Sequence, residues 1–213
     1  EKLNIKLTLD YHIQRIVEDV MEKNGITGAV VVEDVSNGDI VAMASKPDYD
    51  QNNIADYLQS PGNELFNRAT ASYNLGSIFK ILDAVLILEN GMDIYERFFC
   101  PGYIKVGNKE FKCSSYNAGG HGELDMTQAF ALSCNSYFIN SGLQLGYGKI
   151  VEVAERFGLG SPIGIREQGI IEAEGNTPDA DAYYSNGDIA NLSIGQGEIM
   201  ATPVQVANII ATI

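Results

Sequence analysis

The sequence predicts an α+β fold. Strand-like text lies near the N-terminus, helical periods fill the middle, and no internal repeat is visible. Strands gathered apart from helices, rather than alternating with them, read as α+β.

The elements follow in order. Leu3-Asn4-Ile5-Lys6-Leu7-Thr8-Leu9 alternates like a strand. Asp10 is placed to cap a helix whose apolar residues Ile13, Ile16, Val17, Val20 and Met21 keep a helical period, and Gly25 ends it. Gly28–Val35 and Ile40–Ala44 read as two strands joined at Ser36-Asn37-Gly38-Asp39, an Asn-Gly hairpin turn. Residues 46–67 are polar and loop-like. A helix is predicted from Ser77 to the stop signal Asn90-Gly91. Phe98 to Gly122 holds short strands and glycines, with a hairpin around Gly107-Asn108. Three helical stretches follow: Asp125–Leu132, Ser136–Leu145 and Lys149–Phe157. Residues 160–187, rich in Gly, Asp, Asn and Pro, read as surface loop. Thr202-Pro203 is a capping residue followed by Pro at the first turn, opening a helix to Ile213.

The chain has 213 residues, 45% of them hydrophobic and 20% charged. That suffices for one domain with a sizeable core and a small subdomain. A formal net charge of −14 argues against nucleic acid as a partner and against docking on anionic lipid through this domain. No run approaches the roughly 18 apolar residues of a membrane span.

The most informative stretch is Ser77-Ile78-Phe79-Lys80, delivered by the turn Tyr73-Asn74-Leu75-Gly76 and followed by an apolar helical run. Residues three apart share a helix face. A hydroxyl beside an amine that can take its proton is an activated nucleophile. The bland alternative is that Ser77 caps the helix and Lys80 is a solvated charge. A second motif, Ser133-Cys134-Asn135, lies about fifty residues downstream. S-x-x-K followed by S-x-N matches two parts of the signature of penicillin-binding proteins and class A β-lactamases. Asn67-Arg68-Ala69 precedes the first motif, and Ile194-Gly195-Gln196-Gly197-Glu198 leads into Ala201-Thr202-Pro203-Val204-Gln205.

With those residues the chain resembles the transpeptidase domain of a class B penicillin-binding protein, of the elongation and sporulation type, from about Leu7 to its end. The resemblance implies an antiparallel sheet of about five strands flanked by helices, with a helical subdomain. It implies acyl transfer on peptidoglycan stem peptides ending in D-Ala-D-Ala, with β-lactams as covalent inhibitors. Ser77 would be the nucleophile and Lys80 its base. Lys80 must then titrate well below the usual value of about 10.4, and burial near Phe79 and Leu82 would push it that way. Ser133 would relay the proton to the leaving amine. Asn135 would hold the substrate amide and orient Lys80. A membrane glycosyltransferase partner and a place on the extracytoplasmic face of a bacterial membrane are implied too.

Three positions depart from the family pattern. Leu75 stands where a Pro is usual and Ile78 where a Thr is usual; neither removes a reactive group. The K-T-G strand is missing, since no lysine follows Lys149. We expect that strand, and the N-terminal anchor and pedestal of relatives, to lie outside residues 1–213.

The three cysteines, Cys100, Cys113 and Cys134, bracket His121. A Cys₃His set suits a structural zinc ion, and glycines on both sides of His121 free its backbone to aim the ring. A Cys100–Cys113 disulfide with a buried Cys134 and three unrelated buried thiols are the alternatives. His12, on the first helix, is read as exposed. Two other functions share part of the motif set. A β-lactam sensor domain has S-x-x-K, but the wording of residues 188–213 suits a transpeptidase. A serine β-lactamase needs a carboxylate that activates water near Ser77, and the sequence identifies none.

Overall fold

A computed structural model describes residues 6–165 and 169–213. The strand reading of 3–9 falls partly on residues 3–5, outside the described set, and residues 6–9 form no strand. The chain folds into two compact units, each built from separate stretches of sequence.

The first unit comprises the described residues among 1–72, 162–175 and 201–213. Helix α1 (Tyr11–Lys23) starts where Asp10 accepts hydrogen bonds from the His12 and Ile13 N–H groups. Of its five periodic apolar residues Met21 alone is buried, and His12 is exposed. Strands β1 (Gly28–Asp34) and β2 (Asp39–Lys46) form the expected antiparallel hairpin. Helix α1 packs on β2, and α7 (Pro203–Thr212) packs on β1. A full capping box sets the start of α7: Thr202 accepts from Gln205 N–H, and the Gln205 side chain accepts from Thr202 N–H. Ala69, Ile165 and Val204 form the centre of this unit's core.

The second unit comprises residues 73–161 and 176–200. A 3₁₀ turn, Gly76–Phe79, runs into α2 (Lys80–Glu89), so the predicted helix begins with one tight turn that holds Ser77. Helix α4 (Asn135–Leu145) is central. It packs against α2, α3 (Met126–Ala131), α5 (Tyr147–Arg156) and α6 (Asn186–Leu192). Strands β3 (Phe98–Cys100) and β6 (Gly122–Leu124) pair antiparallel, as do β4 (Tyr103–Val106) and β5 (Lys109–Lys112) across Gly107-Asn108.

The α+β class holds, and of the family's sheet of about five strands the C-terminal strands are those expected to lie outside residues 1–213. Among the described residues six strands make three two-stranded antiparallel sheets. Strands β3 to β6 are three or four residues each, and β1 and β2 are the longest of the six. Helix α6 starts at the end of the segment 160–187 read as loop and runs beyond it. Ser185 and Asp188 cap it reciprocally, and that box overrides the loop-like Asn, Gly and Asp around it.

Candidate active site

The second unit brings all four motif residues to one point, the side-chain nitrogen of Lys80. Its Nζ lies 3.1 Å from Ser77 Oγ, 2.9 Å from Ser133 Oγ, 2.9 Å from the Ser133 carbonyl and 2.6 Å from Asn135 Oδ1. Four acceptors exceed the three protons of an ammonium. The contacts share the three directions open to the nitrogen, and the Ser77 hydroxyl can accept from an ammonium or donate to a neutral amine. The lysine is 2% exposed, and Ser77 makes no cap bond to a helix N–H. Both halves of the bland alternative fail.

Each group is placed by local backbone chemistry. Lys80 follows Ser77 by three residues across the 3₁₀-to-α junction, so both point to one side. Leu75 takes φ −71°, close to the value a proline would fix, which is why the missing Pro leaves the turn intact. Ser133 sits at φ +51°, left-handed backbone that a β-carbon disfavours. That conformation turns both its carbonyl and its hydroxyl onto Lys80. Asn135 opens α4, and its Nδ2 donates to the Lys112 carbonyl at 2.9 Å, which fixes the amide with Oδ1 toward the lysine.

Burial lowers the Lys80 pKa from its ordinary value; negative charge at Cys113, Cys134 and Asp83 works against this. The net direction favours a neutral amine, as a base requires. Asp83, one turn further along α2, is 3% exposed, and its Oδ2 has no hydrogen-bond partner. Burial raises its pKa well above the usual carboxylate range, with Lys80 opposing. Sequence reasoning missed this group, because an Asp within a helix ordinarily faces water.

The nucleophile turn rests on a second segment, which the motif reading named without a role. Gly76 N–H donates to the Gly195 carbonyl at 2.9 Å, and Asn74 Nδ2 donates to the carbonyls of Gly197 and Ile199, each at 3.0 Å. Gly195 has φ +65°, and a methyl group there would run into the Gly76 backbone and Phe79 Cβ. Gly195→Ala should therefore cost about 2–4 kcal/mol of stability, the sum of backbone strain and overpacking. It should also slow acylation of Ser77, because the Ser77 turn must shift. A thermal melt and a penicillin-labelling time course check both; an unchanged melt would contradict this packing.

The cysteines and His121 converge in the same unit. Cys100 ends β3 and pairs in register with Gly122, which brings His121 alongside it. Cys113 follows β5, and Cys134 immediately precedes α4. Gly120 (φ +97°) permits the crossing, since a β-carbon there would strike the Cys100 carbonyl and the Pro101-Gly102 backbone. The sulfurs of Cys100 and Cys113 are 3.7 Å apart, those of Cys113 and Cys134 3.8 Å, and Cys100 Sγ lies 3.6 Å from His121 Nδ1. All four ligand atoms lie within 4.8 Å of one another.

Tetrahedral bonds of about 2.3 Å to sulfur and about 2.0–2.1 Å to nitrogen put ligand atoms roughly 3.8 Å apart for S–S and roughly 3.5 Å apart for S–N. The cluster thus has the dimensions of a zinc cage. It does not have those of a disulfide, whose sulfurs are about 2.05 Å apart; all three cysteines are free thiols. The Cys113 thiol is pushed down to about 4, first by the hydrogen bond from Cys134, with Ser136 adding its hydroxyl and N–H. The same bond pushes Cys134 up. A proton shared between sulfurs is the proton a metal ion would displace. Ser136 N–H and Oγ each lie 3.2 Å from Cys113 Sγ, and Gly102 N–H lies 3.4 Å from Cys100 Sγ, the outer hydrogen bonds that thiolate ligands accept.

Known proteins match most of the chain. The penicillin binding protein transpeptidase domain matches residues 28–213. A peptidoglycan D,D-transpeptidase MrdA of Haemophilus influenzae is 31% identical over 96% of this chain and 34% of its own length, so the chain spans about a third of that relative. Penicillin-binding protein A of Mycobacterium tuberculosis, solved as its penicillin G acyl-enzyme, superposes with a TM-score of 0.85 at 26% identity, covering 98% of this chain and 51% of that one. The PBP2 of Helicobacter pylori, solved in complex with MreC, gives a TM-score of 0.80 at 27% identity, covering 93% of this chain and 40% of the other.

Proposed function

The chain belongs to the penicillin-binding protein transpeptidase family, in its class B branch, and from that premise we propose that its protein crosslinks peptidoglycan stem peptides through an acyl-enzyme on Ser77. The observation that carries the proposal is the single lysine nitrogen within hydrogen-bond reach of Ser77, Ser133 and Asn135.

The steps proposed here use that geometry. Neutral Lys80 takes the Ser77 proton as Oγ attacks the penultimate carbonyl of a D-Ala-D-Ala terminus. Ser133 Oγ, bonded to Lys80 Nζ, passes that proton to the departing D-Ala nitrogen as the C–N bond breaks. A stem-peptide amine then attacks the ester carbonyl. A new C–N bond forms, the C–Oγ bond breaks, and the proton lost by the amine returns through Lys80 to Ser77. Asn135, held by the Lys112 carbonyl, keeps Lys80 aimed throughout. A β-lactam enters at the first step and leaves an ester that water removes slowly.

We further infer that Cys100, Cys113, His121 and Cys134 hold one zinc ion, which would supply a fold staple and no reacting group. Cys134 lies between Ser133 and Asn135, so the staple would fix the two residues that grip Lys80. The native setting we propose is the outer face of a bacterial membrane, beside a membrane glycosyltransferase. No helix among the described residues is long and apolar enough to cross a membrane, so the proposed anchor would be supplied from outside them.

The experiment is adduct mapping. The intact protein is incubated with penicillin, digested, and the modified peptide sequenced. The ester is expected on Ser77 within the Gly76–Lys80 peptide. Labelling of another residue, or a Ser77→Ala protein that labels as fast, would overturn the assignment.

A further inference from the structure

One cavity of about 300 Å³ in the second unit takes no part in the chemistry above. Its walls include the rings of Tyr147 and Tyr184, stacked 4.2 Å apart at 15°, and the carboxylates of Asp179, Asp188 and Glu198. No lysine or arginine is among its lining residues. The charges converge on one place: the Tyr147 phenol is pushed up first by burial and then by Glu198, Asp188 and Asp179 in turn.

The cavity also adjoins the turn that precedes the nucleophile. Gln196, on its rim, lies 3.6 Å from where a β-carbon of Gly76 would sit, one residue before Ser77. Glu198 lies between Gly197 and Ile199, whose carbonyls clamp Asn74 under the same turn.

We propose that this cavity binds the cationic amine end of the acceptor peptide. The inference rests on the transpeptidase reading and names the second substrate's subsite. An aliphatic amine is an ammonium ion near neutral pH. Carboxylates attract such an ion, and so does the outer face of the Tyr184 ring, whose other face Tyr147 covers. A cavity of this size readily admits an aliphatic amine side chain. The site lies beside the turn that carries Ser77, since its lining residue Gln196 faces Gly76.

The test uses Nα-acetyl-lysine amide as a cationic probe and its Nα,Nε-diacetyl analogue as an uncharged one. Both are titrated by ligand-observed NMR against the intact protein after penicillin treatment. The mass of the same sample reports whether Ser77 carries the ester, so failure of the acylation reading shows separately; the titration is then read on unlabelled protein. The cationic probe is expected to bind at least about tenfold more tightly than the neutral one, and Glu198→Gln with Asp179→Asn is expected to erase that preference. Both substitutions are isosteric at exposed positions, and the amide introduced by Asp179→Asn retains an oxygen for the Asp181 N–H bond now accepted by Asp179. Equal binding of the two probes, or a preference unchanged in the double variant, would overturn the proposal.

Discussion

Lys80→Ala is expected to lower penicillin acylation of Ser77 by about 10²–10⁴, the range that a positioned general base supplies. The geometry leaves no substitute among the hydrogen-bond partners: Ser77 Oγ is bonded to Lys80 Nζ, and the other neighbours of that nitrogen are a hydroxyl, a carbonyl and an amide. None is a base at neutral pH. The fold should survive. The substitution strips donors from four acceptors but also removes a buried amine whose charging burial opposes, and the two effects offset. The pH dependence separates this account from simple misfolding. Burial lowers the Lys80 pKa below its ordinary 10.5, so the neutral amine grows as pH rises. Acylation by the unaltered protein should therefore climb with pH and level off before 10.5. The residual rate of Lys80→Ala should lack that limb. A variant that acylates at the native rate, or keeps the same rising limb, would remove Lys80 from the base's role.

What the sequence made legible follows from where the information lies. Ser77, Lys80, Ser133 and Asn135 were readable because their chemistry resides in side-chain type at short spacing. The sequence cannot bring two motifs fifty residues apart together, but helices α2 and α4 do. The proposed metal ligands were readable because thiols and imidazoles are few in this chain. Asp83 was not readable: its burial comes from the packing of α2 against α4 and α5, which a helical Asp does not advertise. The Gly195–Gly76 contact was equally hidden, since it spans more than a hundred residues and depends on the absence of a methyl group. The acidic cavity draws on Tyr147 and on a segment read as loop. The start of α6 was missed because the residues that suggest a turn, Ser185, Asn186, Gly187 and Asp188, also form a capping box. Local composition could not choose between the two, whereas the burial of Ile189, Ala190 and Leu192 does.

Removing the proposed metal is expected to be as damaging as removing the base, by a different route. Protein isolated without chelator should carry one zinc per chain and lose it to a strong chelator, with the melting temperature falling by about 10 °C or more. For a chain of this size each kcal/mol shifts the melt by about 2–4 °C, and structural zinc sites contribute about 10–16 kcal/mol of apparent binding energy in small domains. Even a fraction of that gives the expected fall. Three thiolates freed of zinc would sit within 3.8 Å along the Cys100–Cys113–Cys134 chain, so they must reprotonate or move apart. Cys134 cannot move without Ser133 and Asn135, its neighbours on either side, and both hold Lys80. Acylation should therefore slow together with the melt, and added zinc should restore both. Cys100→Ser tests the same link without chelator, since it removes one ligand far along the chain from Ser133. It should weaken zinc binding and slow acylation while leaving Ser77 and Lys80 unaltered. An apo protein that melts and acylates like the holo form would leave the four residues as buried packing and nothing more.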